Sequence, residues 1–230
     1  MATAKLWRKM LAEGLGTFLL LFVGTGAIIS SLFIHSSTGI GLLMSALAHG
    51  LALGIAVTAA LYISGGHINP AVTIGMLVAR RINVMDAIAY IIAQIAGAAI
   101  AILLLMAMLP AALGVSSMWG LPAVASSITI VQGILIEAAI TFFLVFSVFM
   151  TAANPKVGSK IGGLGVGLTL TILVLFAGPF TGAAANPAVF MGPAIATGNF
   201  TSWYVYWIGP VLGAIISALI CEYGLLRNRR

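Results

Sequence analysis

The sequence predicts an all-α membrane protein with six transmembrane helices and two re-entrant half-helices, arranged as an inverted repeat. Of its 230 residues, 62% are hydrophobic and only 6% are charged, whereas a soluble domain is about half apolar and a quarter charged. Groups of basic residues divide the chain into long apolar runs, and an Asn-Pro-Ala-Val motif recurs at 69–72 and 186–189. The composition excludes a soluble globule, and the spacing of charges and motifs indicates the topology.

The basic residues predict the number of membrane crossings. They fall in four groups, at 5–9, 80–81, 156–160 and 227–230. Basic residues near the ends of spans prefer the cytoplasm, so an even number of crossings should separate each group from the next. A crossing takes about 20 apolar residues, and each interval has room for two crossings. We therefore expect both termini in the cytoplasm and six spans, at about 10–30, 41–62, 86–108, 128–151, 161–178 and 203–224.

Two of these intervals hold residues that the spans do not use. The first surplus begins at Ser64 and the second at Thr181, and each contains one Asn-Pro-Ala motif. A complete crossing by either would place basic groups on opposite sides of the membrane, so both segments should enter it and return. Asparagine is a strong helix N-cap and proline is favoured at the first helical position. Each motif therefore predicts a half-helix that begins at membrane depth. The motif residues are Asn69, Pro70, Ala71, Asn186, Pro187 and Ala188.

The two halves of the chain, about 1–112 and 124–230, correspond to each other. The landmarks that pair are Glu13 with Glu137, Asn69 with Asn186, and Tyr90 with Tyr206. Three spans in each half reverse the membrane orientation of the second half relative to the first. We expect a single transmembrane domain over 1–230, in which residues 110–127 form an external connection and 153–156 a short inner turn. The half-helices, entering from opposite sides, should meet near the bilayer midplane.

Two helix N-termini that face one lumen predict a particular kind of passage. Their unpaired backbone N–H groups and positive dipole ends would lie at the constriction. Water, or another small neutral acceptor, could turn its oxygen toward the side-chain amides of Asn69 and Asn186. A cation, including hydronium, would meet an electrostatic barrier there.

The sequence resembles the aquaporin (major intrinsic protein) family over nearly its whole length. The matching residues are Ala12-Glu13 with Gly16-Thr17, the stretch 64–73, Gln94 with Gly97-Ala98, the motif at 186–188, and Gly192-Pro193-Ala194. The resemblance implies six tilted helices, half-helices that meet at the Asn-Pro-Ala motifs, a channel with one pore in each subunit, and a homotetramer. It also implies that Glu13 and Glu137 are structural braces, which accept backbone hydrogen bonds from the re-entrant loops.

The family's selectivity filter has four positions, which by their offset from the motifs correspond to His49, Val174, Ala183 and Val189. Most aquaporins have an arginine at the last position. The set here resembles the filter of some plant vacuolar (tonoplast-type) aquaporins. Without a guanidinium and its donors, the constriction should be wider and less polar. The resemblance therefore implies passage of water and of ammonia, hydrogen peroxide and urea.

Several of these side chains have a second interpretation. His49 could hold a helix contact, although pore lining is favoured. His67 is expected at the inner mouth, where packing and pore lining agree equally well with the sequence. Glu13 and Glu137 could form a proton relay, because an ionisable residue within a span is functional by default. The brace is the preferred interpretation of both.

The predicted function is passive conduction of water and small neutral solutes. The alternatives are a glycerol-conducting facilitator, an alternating-access secondary transporter, which would share the inverted repeat, and a non-conducting membrane protein. We expect no enzyme activity, metal or cofactor, since the sequence has no nucleophile–base pair, metal cluster or phosphate-binding loop. The expected partners are the solutes, the lipid bilayer and further copies of the chain, and no nucleic acid. The absence of long tails favours a prokaryotic plasma membrane.

Overall fold

The computed structural model describes residues 4–154 and 162–226, and in these ranges it contains helices and no strand. A 3₁₀ turn, Met118–Gly120, follows the fifth helix, and a π-helical segment, Ile220–Leu226, continues the last one. The α-helices are α1 (Leu6–Phe33), α2 (Thr38–Ala60), α3 (Pro70–Val78), α4 (Val84–Met108), α5 (Ala111–Ser116), α6 (Ile130–Met150), α7 (Leu164–Thr181), α8 (Pro187–Thr197) and α9 (Val205–Leu219).

Six helices are long and apolar enough to cross a membrane: α1, α2, α4, α6, α7, and α9 with its π-helical extension. This confirms the predicted fold class of six spans. The largest difference from the predicted boundaries is in α1, which begins at Leu6 and ends at Phe33. Charged residues lie in its first turns, and Lys9 donates to the Asp86 carboxylate of α4 at 2.8 Å. This ion pair lets α1 extend beyond its apolar part.

Of the two connections predicted from the sequence, 110–127 lies wholly within the described residues and 153–156 lies only partly within them. The predicted connection at 110–127 contains α5 and the 3₁₀ turn, in which Trp119 is buried. The predicted inner turn at 153–156 continues past residue 154 and lies partly outside the described residues. Five of the basic residues that predict the topology also lie outside the described residues: Lys156, Lys160, Arg227, Arg229 and Arg230.

The two half-helices, α3 and α8, tie the repeats together. Each packs against the third span of the opposite repeat: α3 against α9, and α8 against α4. The second spans of the repeats, α2 and α7, also pack closely, because a Cβ atom on Gly167 would lie only 2.8 Å from the Cα atom of Gly54. This interlocked arrangement brings the N-termini of α3 and α8 together in the interior.

The basic residues of the described ranges lie at one end of the helical bundle. Lys9, Arg80 and Arg81 border one wide vestibule, a cavity of about 1170 Å³ that is open to the outside of the bundle. Arg81 also pairs with Glu222, in the segment after α9, with 2.6 Å between nitrogen and oxygen. The beginning of α1 and the end of the last span are therefore on the same side, as an even number of crossings requires.

Candidate functional site

The half-helices begin at the two asparagines. The Asn69 Oδ1 atom accepts a hydrogen bond from the Ala71 amide at 2.8 Å, and the Asn186 Oδ1 atom accepts one from the Ala188 amide at 2.9 Å. In each case a proline follows as the first helical residue. Both asparagines are buried. Each Asn-Pro-Ala motif therefore caps a helix inside the protein, where few other groups could satisfy the end of a helix.

The same asparagines join the two re-entrant loops. The Asn69 Nδ2 atom donates to the Ala185 carbonyl at 2.8 Å, and the Asn186 Nδ2 atom donates to the Ile68 carbonyl at 3.1 Å. A primary amide has two N–H groups, so this reciprocal pair of bonds uses one from each asparagine. Both asparagines also border a cavity between the helices, toward which the second N–H group can donate.

The residues before the asparagines have an unusual backbone conformation. The φ angle is 56° at Ile68 and 48° at Ala185, in the left-handed region that a β-branched residue such as isoleucine rarely adopts. This conformation turns each carbonyl toward the opposite asparagine. Such strain persists only where the surroundings hold it, and two buried glutamates supply that support.

Glu13 binds the first loop through both carboxylate oxygens. Its Oε1 atom accepts from the Ser64 hydroxyl at 2.6 Å and from the His67 amide at 2.9 Å. Its Oε2 atom accepts from the Ile68 amide at 2.6 Å and from the Gln94 side chain at 2.8 Å. Four donors surround this fully buried carboxylate, an arrangement that compensates for the loss of water around a charge.

Glu137 makes the equivalent contacts in the second loop. Its Oε1 atom accepts from the Thr181 hydroxyl at 2.6 Å and from the Ala184 amide at 3.1 Å, and its Oε2 atom accepts from the Ala185 amide at 2.8 Å. The counterpart of Gln94 in this repeat is Pro210, which has no side-chain donor. Each glutamate therefore fixes the loop whose carbonyl binds the opposite asparagine.

A narrow cavity of about 40 Å³ lies between the helices, and we call it the central cavity. A site needs about 10–15 Å³ per water molecule, so this volume suits a short file of waters. No charged side chain of the described residues borders it. The lining side chains include the four residues predicted from the filter offsets, both asparagines, one serine and four leucines: His49, Val174, Ala183, Val189, Asn69, Asn186, Ser45, Leu20, Leu53, Leu144 and Leu170.

His49 both borders the central cavity and packs against a neighbouring helix. Its Nδ1 atom lies 2.8 Å from the Ser45 carbonyl oxygen. Because a carbonyl only accepts, this bond requires a proton on Nδ1, and in the neutral imidazole Nε2 is then an acceptor. The ring lies directly against Gly24 of α1. His49 therefore makes a helix contact and also lines the cavity, so the structure agrees with both interpretations.

His67 does not border the central cavity. It borders the wide vestibule of about 1170 Å³, which Arg80 and Arg81 also border. The His67 Nδ1 atom is 3.1 Å from the Thr73 hydroxyl, and the ring contacts Tyr90 edge-on, with 5.2 Å between centroids. Packing and vestibule lining therefore occur together at this histidine.

The sequence assigned no contact in the site to four side chains, although two of them, Tyr90 and Tyr206, are landmarks that pair between the halves. Ser64 and Thr181, which bind the glutamates, each stand five positions before the asparagine of their repeat. The Tyr90 hydroxyl donates to the Ser64 carbonyl at 2.8 Å, and the Tyr206 hydroxyl to the Thr181 carbonyl at 2.9 Å. The signal that could have identified them is the repeat itself, since each pair occupies equivalent positions.

Comparison with known proteins gives matches over nearly the whole chain. A family model described as "Major intrinsic protein" matches residues 1–221. Among curated proteins, "Probable aquaporin TIP3-2" of Arabidopsis thaliana is 41% identical over 229 residues, covering 95% of this chain and 84% of the relative. "Aquaporin TIP2-1" of Arabidopsis thaliana is 40% identical, covering 93% and 85%. "Aquaporin TIP4-4" of Zea mays is 38% identical, covering 94% and 85%.

A solved structure has the same fold. The X-ray structure of the aquaglyceroporin from Plasmodium falciparum superposes with a TM-score of 0.81 and covers 96% of this chain and 98% of its own, at 22% identity. The six apolar helices fit an integral membrane protein. The three relatives named above are plant proteins, so they do not support the expected prokaryotic plasma membrane.

Proposed function

Because the chain belongs to the major intrinsic protein family, we propose that it is a passive channel through which water and small neutral solutes cross a membrane by way of the central cavity. The observation that carries this proposal is the reciprocal bonding of Asn69 and Asn186 across the two loops. It fixes two side-chain amides at the cavity wall and leaves each with a free N–H group. Water in the central cavity meets these donors, the polar groups of Ser45 and His49, and apolar side chains.

The leucines of the cavity wall support fast passage. Leu20 and Leu144 each stand seven positions after the glutamate of their repeat and border the central cavity. The leucines offer a water molecule no hydrogen bond, so the molecule is held by the two asparagines, by other polar lining groups such as Ser45 and His49, and by its neighbours in file. Conduction requires binding that is favourable enough for entry and weak enough for exit. A lining that combines a few polar groups with apolar side chains meets both requirements.

Exclusion of ions follows from the same geometry. The N-termini of α3 and α8 direct positive dipole ends toward the cavity, which opposes the entry of cations. An ion that loses its hydration shell costs several kcal/mol even after relaxation, and no charged side chain of the described residues lines the central cavity to offset that cost. Neutral molecules avoid this penalty.

We propose that the selectivity filter, which determines the solutes that pass, consists of His49, Val174, Ala183 and Val189. Three of the four side chains are apolar, and all four border the central cavity. With valine at 189, no guanidinium narrows the opening or competes for hydrogen bonds. We therefore propose that ammonia, hydrogen peroxide and urea pass as well as water.

The proposal extends to the arrangement in the membrane. We propose cytoplasmic termini, because Lys9, Arg80 and Arg81 lie together at the end of the bundle where both described chain ends are found and basic residues prefer the cytoplasmic side.

We also propose one pore in each subunit of a homotetramer. Large apolar side chains on the outward faces of the spans, such as Leu51 and Ile55 of α2, supply the surface for lipid and neighbouring subunits.

Stopped-flow light scattering on liposomes that contain the purified protein tests the function. We expect osmotic water permeability well above that of protein-free liposomes, with a low activation energy, and urea and ammonia fluxes that rise linearly with concentration. Saturable, ion-coupled uptake would support the transporter instead. Glycerol flux that exceeds urea flux would support the glycerol facilitator. Permeabilities equal to those of protein-free liposomes would contradict any channel function.

A further inference from the structure

The His49 imidazole occupies space that exists only because residue 24 of α1 is a glycine. A Cβ atom built on Gly24 would lie 2.6 Å from the His49 Cε1 atom and closer still to Nε2 and Cδ2. Cβ atoms essentially never approach other heavy atoms within 3.0 Å. The ring therefore lies directly on the α1 backbone, in a recess that any other residue would fill.

We propose that Gly24 is a specificity-determining residue of the channel, because its missing side chain lets the His49 ring lie back against α1 and so sets the width of the filter. This inference rests on the proposed function. Gly24 does not itself border the central cavity. It acts on the passing solute only through the position of the imidazole.

The contacts of His49 indicate where its ring would move if residue 24 were larger. Its Nδ1 atom is tied to the Ser45 carbonyl of its own helix at 2.8 Å, and the far end of the ring, at Nε2, meets α1 at Gly24. The open space that His49 borders is the central cavity. A methyl group at position 24 would therefore displace the ring toward the passage, where about 40 Å³ is open.

The second repeat supports this pairing by contrast. Gly24 stands eleven positions after Glu13, and the residue eleven positions after Glu137 is Val148. His49 stands twenty positions before Asn69, and the residue twenty positions before Asn186 is Val166. In the first repeat these two positions hold a glycine and the large imidazole, whereas the equivalent positions of the second repeat both hold valine. Close packing favours a small residue where a large one must fit, as at the contact of Gly24 with His49.

The test compares Gly24→Ala with Gly26→Ala in liposomes. The two glycines lie on the same helix, but a Cβ atom on Gly26 would meet only the Leu105 Cδ2 atom, at an ordinary 3.9 Å. We expect Gly24→Ala to lower the ratio of urea to water permeability by roughly tenfold, the scale on which one methylene changes discrimination in an apolar pocket. Gly26→Ala should leave the ratio unchanged.

A double variant separates this role from a general packing defect. With His49→Ala, the ring is absent, and adding Gly24→Ala should change the ratio by less than about twofold, since non-additivity reports direct coupling. An equal loss in both backgrounds would overturn the proposal, as would an unchanged ratio in Gly24→Ala alone. If Gly24→Ala does not fold, recovery of folding by His49→Ala supports the proposal, and failure to recover contradicts it.

The same measurements distinguish this inference from the proposed function. A wild-type protein with the water permeability of protein-free liposomes would contradict the channel function itself. A wild-type protein that conducts water, with a Gly24→Ala variant of unchanged urea-to-water ratio, would contradict only the role of Gly24.

Discussion

Glu137→Leu is expected to abolish water permeability and to lower the thermal stability of the protein. Leucine removes the acceptor of three buried donors: the Thr181 hydroxyl and the Ala184 and Ala185 amides. Each buried donor left unpaired costs about 1–3 kcal/mol. The loop would also lose the support of Ala185 in its left-handed conformation, with φ of 48°. Because the Ala185 carbonyl binds Asn69, the defect would reach the opposite half-helix.

Thermal unfolding in detergent and stopped-flow permeability together measure this effect. Glu222→Gln is the matched control, because Glu222 is paired with Arg81 at a partly exposed site, where ion pairs contribute about 0–1 kcal/mol. We expect the control to unfold and conduct like the wild type. A Glu137→Leu variant with wild-type stability and permeability would show that the carboxylate does not hold the loop.

Val189→Arg is expected to preserve water flow and to reduce the passage of larger solutes. Val189 borders the central cavity beside Asn186, so a guanidinium there would occupy space and present up to five donors. Water can exchange hydrogen bonds with those donors in a narrower opening, whereas urea no longer fits. We expect the ratio of urea to water permeability to fall by roughly tenfold or more.

A second arginine variant controls for the added charge. Val115, in α5, is 69% exposed and does not border the central cavity, so Val115→Arg should leave both permeabilities unchanged. Liposome measurements of water, urea and ammonia flux report the ratios for the two variants. Unchanged ratios in Val189→Arg would remove Val189 from the filter.

The fold could be predicted because the bilayer imposes strong rules on a sequence. Charges such as Arg80 and Arg81 mark the ends of spans, and the Asn-Pro pairs at 69–70 and 186–187 mark the starts of the half-helices. These signals are local, so they need no knowledge of which helices touch. The ends of the helices followed less directly from these signals, because α1 continues past its apolar part to the ion pair of Lys9 with Asp86.

The contacts between distant segments could not be predicted in the same way. The bond from Asn69 to the Ala185 carbonyl joins residues 116 positions apart, and nothing in either local sequence specifies it. The recess that Gly24 provides for His49 likewise depends on how α1 and α2 pack. Glycine is common in such helices, so its presence alone does not indicate that a particular ring lies against it.

The path of water can be tested most directly by blocking the central cavity reversibly. The chain has one cysteine, Cys221, which is buried and does not border the cavity, and Cys221→Ser gives a background without a reactive thiol. Val189→Cys then places a thiol on the cavity wall. Val115→Cys, in α5, where the native side chain is 69% exposed, is the control.

Both variants are treated with a methanethiosulfonate reagent, and mass spectrometry establishes that each is modified. The modified Val189→Cys protein should lose its osmotic water permeability in stopped-flow measurements and regain it after reduction, while the modified Val115→Cys protein conducts as before. If fully modified Val189→Cys still conducts water at the unmodified rate, water does not pass through the central cavity.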